Sequence, residues 1–436
     1  MGGGGVMSEK SPRKLYKERN QRVKNAIALK EPDRVPITPM VTFYHTEQKG
    51  ISKKEAMYNP EKSAQAAIKV FSSYNWDQVP PITQVYPAKY FDILGTLFFK
   101  WPGAERESQR LLDHQPYQFI EGEYMKANEY EEFFEDPTGF LLRKIIPRHN
   151  TTFKGFARFP NIINLASGYG AMLVGFPLFF MDPTVKEMFE KLAEGTQYMV
   201  KFMNTLNTYE MEMKKRGYPM QFMNMCQAPY DVVSEFLRGM RGIMLDMYRK
   251  PEELKRILEI LTEPTITATV NLSVLAPHLK VVFMPLHRGA EGFMNEKQFE
   301  TFYWPTLTRV MEGLIKNGLI PMPFFEGKYT ARFPYLTEFA KKHKGKLIYW
   351  FDQSDIIKGK EEFGDYACIR GNIPGSLLVT GSPKDVEKYV KQCIEGCAEG
   401  GGYIVDGGIS GIPDEAKAEN VKAMTEAVFK YGVYRK

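Results

Sequence analysis

The sequence has few cysteines and no long hydrophobic run. Its four cysteines, Cys226, Cys368, Cys393 and Cys397, show neither the paired spacing of a zinc ribbon nor a disulfide framework of the kind found in small secreted domains. No apolar run approaches the ~18 residues that a membrane-spanning helix needs, and the N-terminus lacks the apolar core of a signal peptide. We therefore expect a cytoplasmic protein that does not enter a membrane.

The chain also lacks a strong excess of charge of either sign. Its formal net charge is +6 over 436 residues, and along much of the chain basic residues are interleaved with acidic ones, as in KPEELKRILE at 250–259. Nucleic-acid-binding surfaces instead concentrate their basic residues on one face. We therefore expect no nucleic-acid partner, and the composition is that of a globular protein large enough to bury a sizeable core.

Short apolar runs recur along the chain, each followed by a turn signal and a segment of helical period. This pattern is typical of a parallel α/β protein. There are eight such runs, at 34–40, 76–82, 219–225, 281–287, 319–326, 346–352, 367–372 and 402–406. Eight strands with intervening helices predict a (β/α)8 TIM barrel, although several runs contain prolines, which cannot donate to a central ladder.

The sequence predicts one barrel domain with an elaborated N-terminal half. We interpret residues 1–19 as a disordered or tag-like N-terminus, and 20–436 as the barrel domain, with a helix at 20–29 before the first strand. The interval 85–215 is too long for a simple crossover between two strands. We interpret it as an elaboration that covers the barrel mouth.

Polar side chains stand at the ends of five consecutive predicted strands: His287, Glu326, Asp352, Asn372 and Asp406. In TIM barrels the chemistry lies at the C-terminal ends of the strands, so these side chains are expected to converge. Asp and Asn are also ordinary turn residues. Glu326 and His287 are not favoured turn formers, although a single histidine in such a place is more often a hydrogen-bonded core residue.

Three of these residues form a candidate metal site. The imidazole of His287 and the carboxylates of Glu326 and Asp352 are ligands compatible with Zn²⁺. The same groups could instead act as metal-free general acids and bases, because burial raises a carboxyl pKa towards neutrality. Cys368 could reach the site as a fourth ligand, or be an inert buried thiol.

Aromatic and cationic residues surround the same strand ends. The candidates for a slot that holds an aryl group are Phe324, Phe325, Tyr329, Tyr349, Trp350 and Phe351. Strand alternation would turn about half of them away. Arg288 and Arg370 could bind a substrate carboxylate or form structural ion pairs, Tyr329 could donate to a leaving oxygen, and His45 is expected at the mouth after the first strand.

Four groups of short motifs lie in order from about residue 20 to 434. They are KEPDRVP at 30–36; APYD at 228–231 with RGMRG at 238–242; RGNIP at 370–374 with TGSP at 380–383; and GGYI at 401–404 with ENVKAM at 419–424. Together they resemble the uroporphyrinogen decarboxylase superfamily, which is known for a (β/α)8 barrel. That superfamily includes cofactor-free decarboxylases and zinc-dependent methyltransferases that work with a corrinoid protein, among them coenzyme M methyltransferases and O-demethylases.

The sequence departs from two patterns within that superfamily. The decarboxylases grip propionate groups with an arginine-rich segment, but VTFYHTE at 41–47 contains no arginine. Coenzyme M methyltransferases carry H-x-C-G where this chain has Phe324-Phe325-Glu326-Gly327, and a further Cys near the last strand, where 406–410 has none. Glu326 therefore stands in the place of a zinc thiolate.

The resemblance implies a zinc-dependent methyltransferase that moves a methyl group from a small methylated substrate, preferably a phenyl methyl ether, to a corrinoid protein. Zinc would polarise the ether oxygen while the corrinoid Co(I) takes the methyl group. A separate corrinoid-binding partner is expected because this chain lacks D-x-H-x-x-G. The alternatives are a metal-free decarboxylase or lyase and a non-catalytic ligand-binding relative.

The residue roles predicted for this methyltransferase fall into three groups. The metal ligands are His287, Glu326 and Asp352; the catalytic residues are Glu326, Tyr329 and Arg288; and the substrate-binding residues are Phe324, Phe325, Trp350, Phe351, Arg370 and His45.

Overall fold

The computed structural model describes residues 10–408 and 411–434, apart from the side chain of Leu165. The strands are β1 (Phe99–Pro102), β2 (Arg110–Leu111), β3 (Gln118–Phe119), β4 (Asn224–Met225), β5 (Val281–Leu286), β6 (Ile320–Phe325), β7 (Ile348–Phe351), β8 (Cys368–Arg370) and β9 (Tyr403–Ile404).

The α-helices are α1 (Pro12–Ile27), α2 (Tyr44–Glu47), α3 (Lys53–Tyr58), α4 (Pro60–Phe71), α5 (Ala88–Leu94), α6 (Tyr130–Glu135), α7 (Pro137–Phe140), α8 (Ile146–His149), α9 (Phe176–Met181), α10 (Pro183–Lys215), α11 (Pro229–Val233), α12 (Gly239–Arg249), α13 (Pro251–Ser273), α14 (Glu296–Gln298), α15 (Trp304–Lys316), α16 (Phe333–Lys342), α17 (Ile356–Phe363), α18 (Gly375–Thr380), α19 (Pro383–Cys397) and α20 (Ala418–Tyr431). Segments of 3₁₀-helix cover Ile82–Gln84, Glu107–Gln109, Thr151–Arg158, Ile162–Ser167 and Thr330–Arg332, and π-helical turns cover Leu141–Ile145, Ala171–Gly175, Ser234–Arg238 and Phe299–Tyr303. Across the described residues, no helix combines the length and the apolar character needed to cross a membrane.

Six parallel strands and two extended segments form the predicted α/β barrel. The strands pair in the order β4-β5-β6-β7-β8-β9. Backbone contacts then lead from Val405 to Ile37, from Ile37 to the N–H of Asp77 (2.9 Å), and from Val79 to Met220. The eight segments therefore follow one another around a ring, and the prediction of a (β/α)8 fold is confirmed.

The first three predicted strands are less regular than expected. The runs at 34–40 and 76–82 contain only single bridges, and the run at 219–225 contains a single bridge at Met220 and the two-residue strand β4. Prolines interrupt all three runs: Pro36, Pro39, Pro80, Pro81 and Pro219. A proline has no N–H to donate, so it breaks the regular ladder without preventing neighbouring residues from pairing.

Alternating side chains of the strands divide between two cores. One core lies inside the barrel and contains, among others, Phe283, Met322, Phe324, Trp350 and Cys368. The other core lies between the strands and the surrounding helices. This division follows from the two-residue period of a strand, which sends successive side chains to opposite faces.

Helix α1 packs against the interior core and begins earlier than predicted. Its apolar face, Val23, Ala26 and Ile27, belongs to the same cluster as the barrel-lining residues. The helix starts at Pro12, a residue suited to the first helical turn, so residues 12–19 are ordered helix and the predicted tag-like segment 1–19 is too long. Residues 1–9 lie outside the described part of the chain.

The interval 85–215 contains both added elements and one long helix. The added elements are helices α5–α9 and the small sheet β2-β1-β3, whereas α10 packs against α1, α4 and α5. At the far side of this interval, Glu121 accepts hydrogen bonds from Arg288 (3.0 Å) and from the backbone of Met240 (2.6 Å). Part of the elaboration therefore reaches the residues that follow β5.

Candidate functional site

His287 and Glu326 lie side by side at the ends of neighbouring strands. Strands β5 and β6 pair with Leu286 opposite Phe325, so the residues that follow each strand emerge at the same edge. The Nε2 atom of His287 lies 3.5 Å from Oε2 of Glu326. The structure thus brings together two of the three predicted metal ligands.

A second glutamate holds the other side of the His287 ring. Nδ1 of His287 pairs with the carboxylate of Glu235, which belongs to the π-helical turn Ser234–Arg238. The other Glu235 oxygen accepts a hydrogen bond from the Gln227 side chain (2.7 Å). Burial acts to lower the pKa of His287, but the hydrogen bond and charge of Glu235, with Asp231 and Glu326, raise it to about 9. Without a metal, His287 is therefore a cation at neutral pH.

Asp231 is a fully buried carboxyl group one helical turn before Glu235. It accepts hydrogen bonds from the hydroxyl of Tyr303 (2.6 Å) and from the backbone N–H of Arg288 (2.9 Å). Burial raises the pKa of Asp231 to about 7, although the charge of His287 opposes that shift. Asp231 therefore fixes the backbone immediately after His287.

Asp352, at the end of β7, completes the acidic side of the site. Its carboxylate accepts a hydrogen bond from the N–H of Gly327 (3.1 Å), and burial raises its pKa. Gly327 adopts a left-handed backbone, with φ of +84°, which explains why a glycine follows Glu326. Burial and the charge of Asp352 raise the pKa of Glu326, while His287 opposes the rise.

Arg288 is engaged with protein groups at the rim of the site. Its guanidinium donates to Ser234 (3.1 Å) and to Glu121 (3.0 Å), and it lies over the ring of Phe293, 5.1 Å from the centroid. Arg288 therefore forms an ion pair with Glu121 in this structure, which is one of the two roles expected from the sequence. Tyr329 is buried nearby, with its hydroxyl against Gly289.

The predicted aromatic slot divides between the two cores. Phe324 and Trp350 lie inside the barrel, with ring centroids 4.5 Å apart. Phe325 and Phe351 stack on each other on the outer face and pack towards Phe333 of α16. Strand alternation thus turns Phe325 and Phe351 away from the barrel interior, so the structure does not bring these two predicted substrate-binding residues together with Phe324 and Trp350.

Two other predicted substrate-binding residues, Arg370 and His45, are buried within the protein. Arg370 pairs with Asp406 (2.8 Å) and lies over Trp350, 4.4 Å from the ring centroid, within the barrel interior. His45 lies in α2 and contacts Ser63 of α4 (3.0 Å), where burial lowers its pKa to about 3. Both side chains are enclosed by protein in this structure, which is the arrangement expected of structural contacts and does not bring either residue to His287 and Glu326.

The donor set fits a metal ion in part. Within residues 10–408 and 411–434, no three His, Cys, Asp or Glu side chains are grouped closely enough to hold a metal. His287 and Glu326 nevertheless converge, and the Glu235 contact at Nδ1 leaves Nε2 of His287 directed at Glu326. A carboxylate partner of this kind is typical of metal-binding histidines. Cys368 lies in the interior core of the barrel, where burial raises the pKa of its thiol to about 12, and the structure does not group it with His287 and Glu326 as a metal site.

Asp231 and Glu235 are the site residues that sequence reasoning missed. They lie four residues apart in the otherwise apolar segment PYDVVSEFL at 229–237. Residues at that spacing share one face of a helix. A pair of acids on the helix after a barrel strand was the signal that could have identified them.

A comparison with models of known protein families assigns the chain to one of them. The model of the uroporphyrinogen decarboxylase (URO-D) family matches residues 179–431, more than half of the sequence. The chain belongs to the uroporphyrinogen decarboxylase family. The matched range contains His287, Glu326, Asp352, Asp231 and Glu235, so this family membership covers the whole cluster, and the family prediction is confirmed.

Two further comparisons bear on this uroporphyrinogen decarboxylase family member. A search of curated proteins gives no match. Among solved structures, a methyltransferase from Methanosarcina mazei is similar, with a TM-score of 0.60 and 16% sequence identity over 95% of this chain and 98% of that one. At this identity the likeness concerns the fold.

The Glu235 contact leads to a testable pKa. Replacing Glu235 by glutamine should lower the pKa of His287 from about 9 to about 6.5 or below, because burial then acts with less opposition. NMR titration of the metal-free protein measures this change. The raised pKa of His287 stabilises the folded state below pH ~6.5, and this contribution to the free energy of unfolding is lost as the pH rises towards 9. Between these two pH values the native protein should therefore lose more stability than the Glu235→Gln variant.

The matched control for this titration is the exposed pair His278 and Glu210. Glu210→Gln should leave the titration of His287 unchanged. If the pKa of His287 stays near 9 in the Glu235→Gln variant, then the other carboxylates, and not Glu235, stabilise the protonated imidazole.

Proposed function

We propose that the protein is a methyltransferase that takes a methyl group from a small methylated compound, preferably a phenyl methyl ether, and passes it to a corrinoid-binding protein. The observation that carries this proposal is the contact between His287 and Glu326 at adjacent strand ends, with His287 fixed by Glu235. Membership of the uroporphyrinogen decarboxylase family supports it, since the resemblance extends to methyltransferases, and so does the fold shared with the Methanosarcina mazei methyltransferase.

In this proposal His287 and Glu326 would hold Zn²⁺, and Asp352, which this structure does not group closely enough with them, would have to move towards them to act as a third donor. Zn²⁺ bound there would act as a Lewis acid on the ether oxygen. Glu235 keeps the imidazole in place through Nδ1, and Gly327 gives the chain the turn that carries Glu326 past the strand end. The His287 proton must leave when a metal binds, because only the neutral imidazole is a ligand.

The chemistry of the transfer is the breaking of one C–O bond. The methyl carbon would pass to the reduced corrinoid of the partner protein, and the electron pair of the broken bond would stay on oxygen, which would leave as a phenolate and be protonated afterwards. The Glu326 side chain is 48% exposed, which is consistent with access by a protein-bound acceptor. Arg288 and Phe293 form the half-buried rim against which a substrate would be oriented.

A second candidate is favoured by the protonation of His287. With a pKa of about 9, its imidazolium could donate a proton without a metal, as in a decarboxylase or lyase that uses His287 as general acid. The carboxyl group of Glu326, with its raised pKa, would then exchange protons with substrate or solvent.

One experiment separates these candidates. Protein purified without a histidine tag should contain close to one zinc per chain by mass spectrometry. With a reduced corrinoid protein it should demethylate members of a methoxylated aromatic series, which the change in corrinoid absorbance reports. Protein that takes up no zinc on titration, and whose activity resists chelators, would contradict the zinc mechanism and favour the metal-free candidate.

A further inference from the structure

A cavity of about 560 Å³ lies between the segment 121–127 and helix α12. We call it the α12 cavity. Residues of both elements line it, and none of the predicted metal ligands is among them. Its volume falls within the range of about 300–1,000 Å³ that is typical of small-molecule sites. The α12 cavity is therefore large enough for an organic ligand, and the methyl transfer proposed above does not use it.

Arg238 fixes the two walls of the α12 cavity to each other. Its buried guanidinium donates to Glu123 (2.7 Å) on one wall and to Asp246 (2.5 Å) of α12 on the other. The walls also meet at Gly239, where a Cβ atom would lie 3.2 Å from the carbonyl oxygen of Gly122. The cavity is therefore preorganised, and little ordering of its walls has to accompany binding.

One face of α12 presents two arginines and a leucine to the cavity. Arg241, Leu245 and Arg249 follow one another at intervals of four residues, which places them on the same side of a helix. All three line the cavity, and both arginines are exposed to solvent. This face therefore offers two positive charges, with an apolar side chain between them, to a ligand.

In the described part of the chain, these two arginines pair with no carboxylate, because the acids that line the cavity are held by other cations. Glu121 pairs with Arg288 at 3.0 Å. Glu123 and Asp246 both pair with the buried Arg238. The two exposed guanidinium groups therefore remain open to an anion from outside the chain.

We propose that the α12 cavity binds a small organic molecule with two oxyanion groups, phosphates or carboxylates, and that Arg241 and Arg249 bind one group each. The guanidinium fork matches either kind of oxyanion with two parallel hydrogen bonds. The two arginines are eight positions apart, which is about 12 Å along a helix axis, so two separated groups suit them better than one compact ion. Leu245 contacts the apolar part of the ligand that joins the two groups.

The α12 cavity shares part of its wall with the rim of the candidate site. Glu121 and Met240 both line it, and both contact the guanidinium of Arg288, at 3.0 Å and 3.6 Å. A ligand in the cavity therefore lies next to this rim without occupying the space between His287 and Glu326. Its binding does not depend on the methyltransferase activity proposed above.

Isothermal titration calorimetry of the full chain with two matched probes tests this site. Hexamethylene bisphosphonate and suberate carry two phosphonates or two carboxylates on the same chain of methylene groups. At least one of them should bind saturably, with one molecule per chain, and the stronger of the two identifies the preferred oxyanion. Hexylphosphonate, which has a single anionic group, should bind about 10-fold more weakly than the bisphosphonate or worse, because one charge-assisted contact is lost.

Arg241→Gln combined with Arg249→Gln should raise the dissociation constant of the preferred probe by about 100-fold or more, because each change removes a charged donor from the cavity. Glutamine is a good helix former, so α12 should keep its structure. The matched control is Arg13→Gln combined with Arg106→Gln, which removes two exposed arginines that lie outside the cavity and should bind the probe like the native protein.

Leu245→Glu is an independent variant that keeps both arginines. A carboxylate four residues from each of them would pair with both and compete with the probe, so the dissociation constant should rise by about 10-fold or more. A native chain that binds neither probe saturably, or cavity variants that bind like the native chain, would overturn the proposal. An equal loss of affinity in the control variant would also overturn it, because the probes would then respond to the net charge of the chain and not to this cavity.

Discussion

Replacing His287 or Glu326 by alanine should lower methyl transfer by about 10³-fold, because each change removes a group aimed at the reacting atoms. Under the proposed zinc mechanism the same variants should also fail to retain Zn²⁺, since neither remaining donor could hold the ion with Asp352 alone. The rate is measured from the absorbance of the reduced corrinoid protein at saturating substrate, and the metal content by mass spectrometry of the same samples.

The control for these variants is Glu361→Ala, which removes an exposed glutamate of α17 and should change neither the rate nor the zinc content. A Glu326→Ala variant that transfers methyl groups at the native rate would contradict the assigned site. A Glu326→Ala variant that loses activity but retains zinc would assign Glu326 to proton transfer instead of metal binding. A native protein that itself transfers no methyl groups would agree with a non-catalytic relative.

Much of the barrel could be predicted because its strands are buried on both faces. Strands of this kind read as nearly continuous apolar runs, and the runs at 281–287 and 319–326 each predict a regular strand within one residue or two of its observed ends. The runs interrupted by Pro36 and Pro80 predict their strands less well, since their pairing with neighbouring segments is limited to single bridges.

The site was predictable only where strand order determines it. Residues after β5 and β6 must lie together because the strands pair, which is why His287 and Glu326 meet. The contact between His287 and Glu235 spans 52 positions, and nothing in local spacing indicates that the helix after β4 turns its acidic face towards β5. The two faces of a strand are also set by its register, so Phe325 and Phe351 could not be assigned to the outer face without the structure.

Arg370 shows why a charged residue near a strand end need not bind substrate. Its guanidinium donates to Asp406, to the side chain of Gln221 (2.7 Å) and to the backbone carbonyl of Thr38 (2.7 Å). These three partners come from different parts of the ring. Arg370 therefore ties distant barrel segments together from within, and its hydrogen bonds to these three oxygen acceptors offset part of the cost of burying it.

Replacing Arg370 by methionine should lower the free energy of unfolding by about 3–5 kcal/mol, because the buried Asp406 carboxylate loses the cation that compensates it. Urea unfolding of the native and variant proteins measures the loss. The double variant with Asp406→Leu should recover most of it, since no buried charge then remains unpaired. A variant with native stability and a raised KM would contradict this structural role and return Arg370 to the substrate site. The stability loss with an unchanged KM at low temperature is the expected outcome, because a guanidinium enclosed by Trp350, Asp406 and Gln221 is buried and held by protein groups.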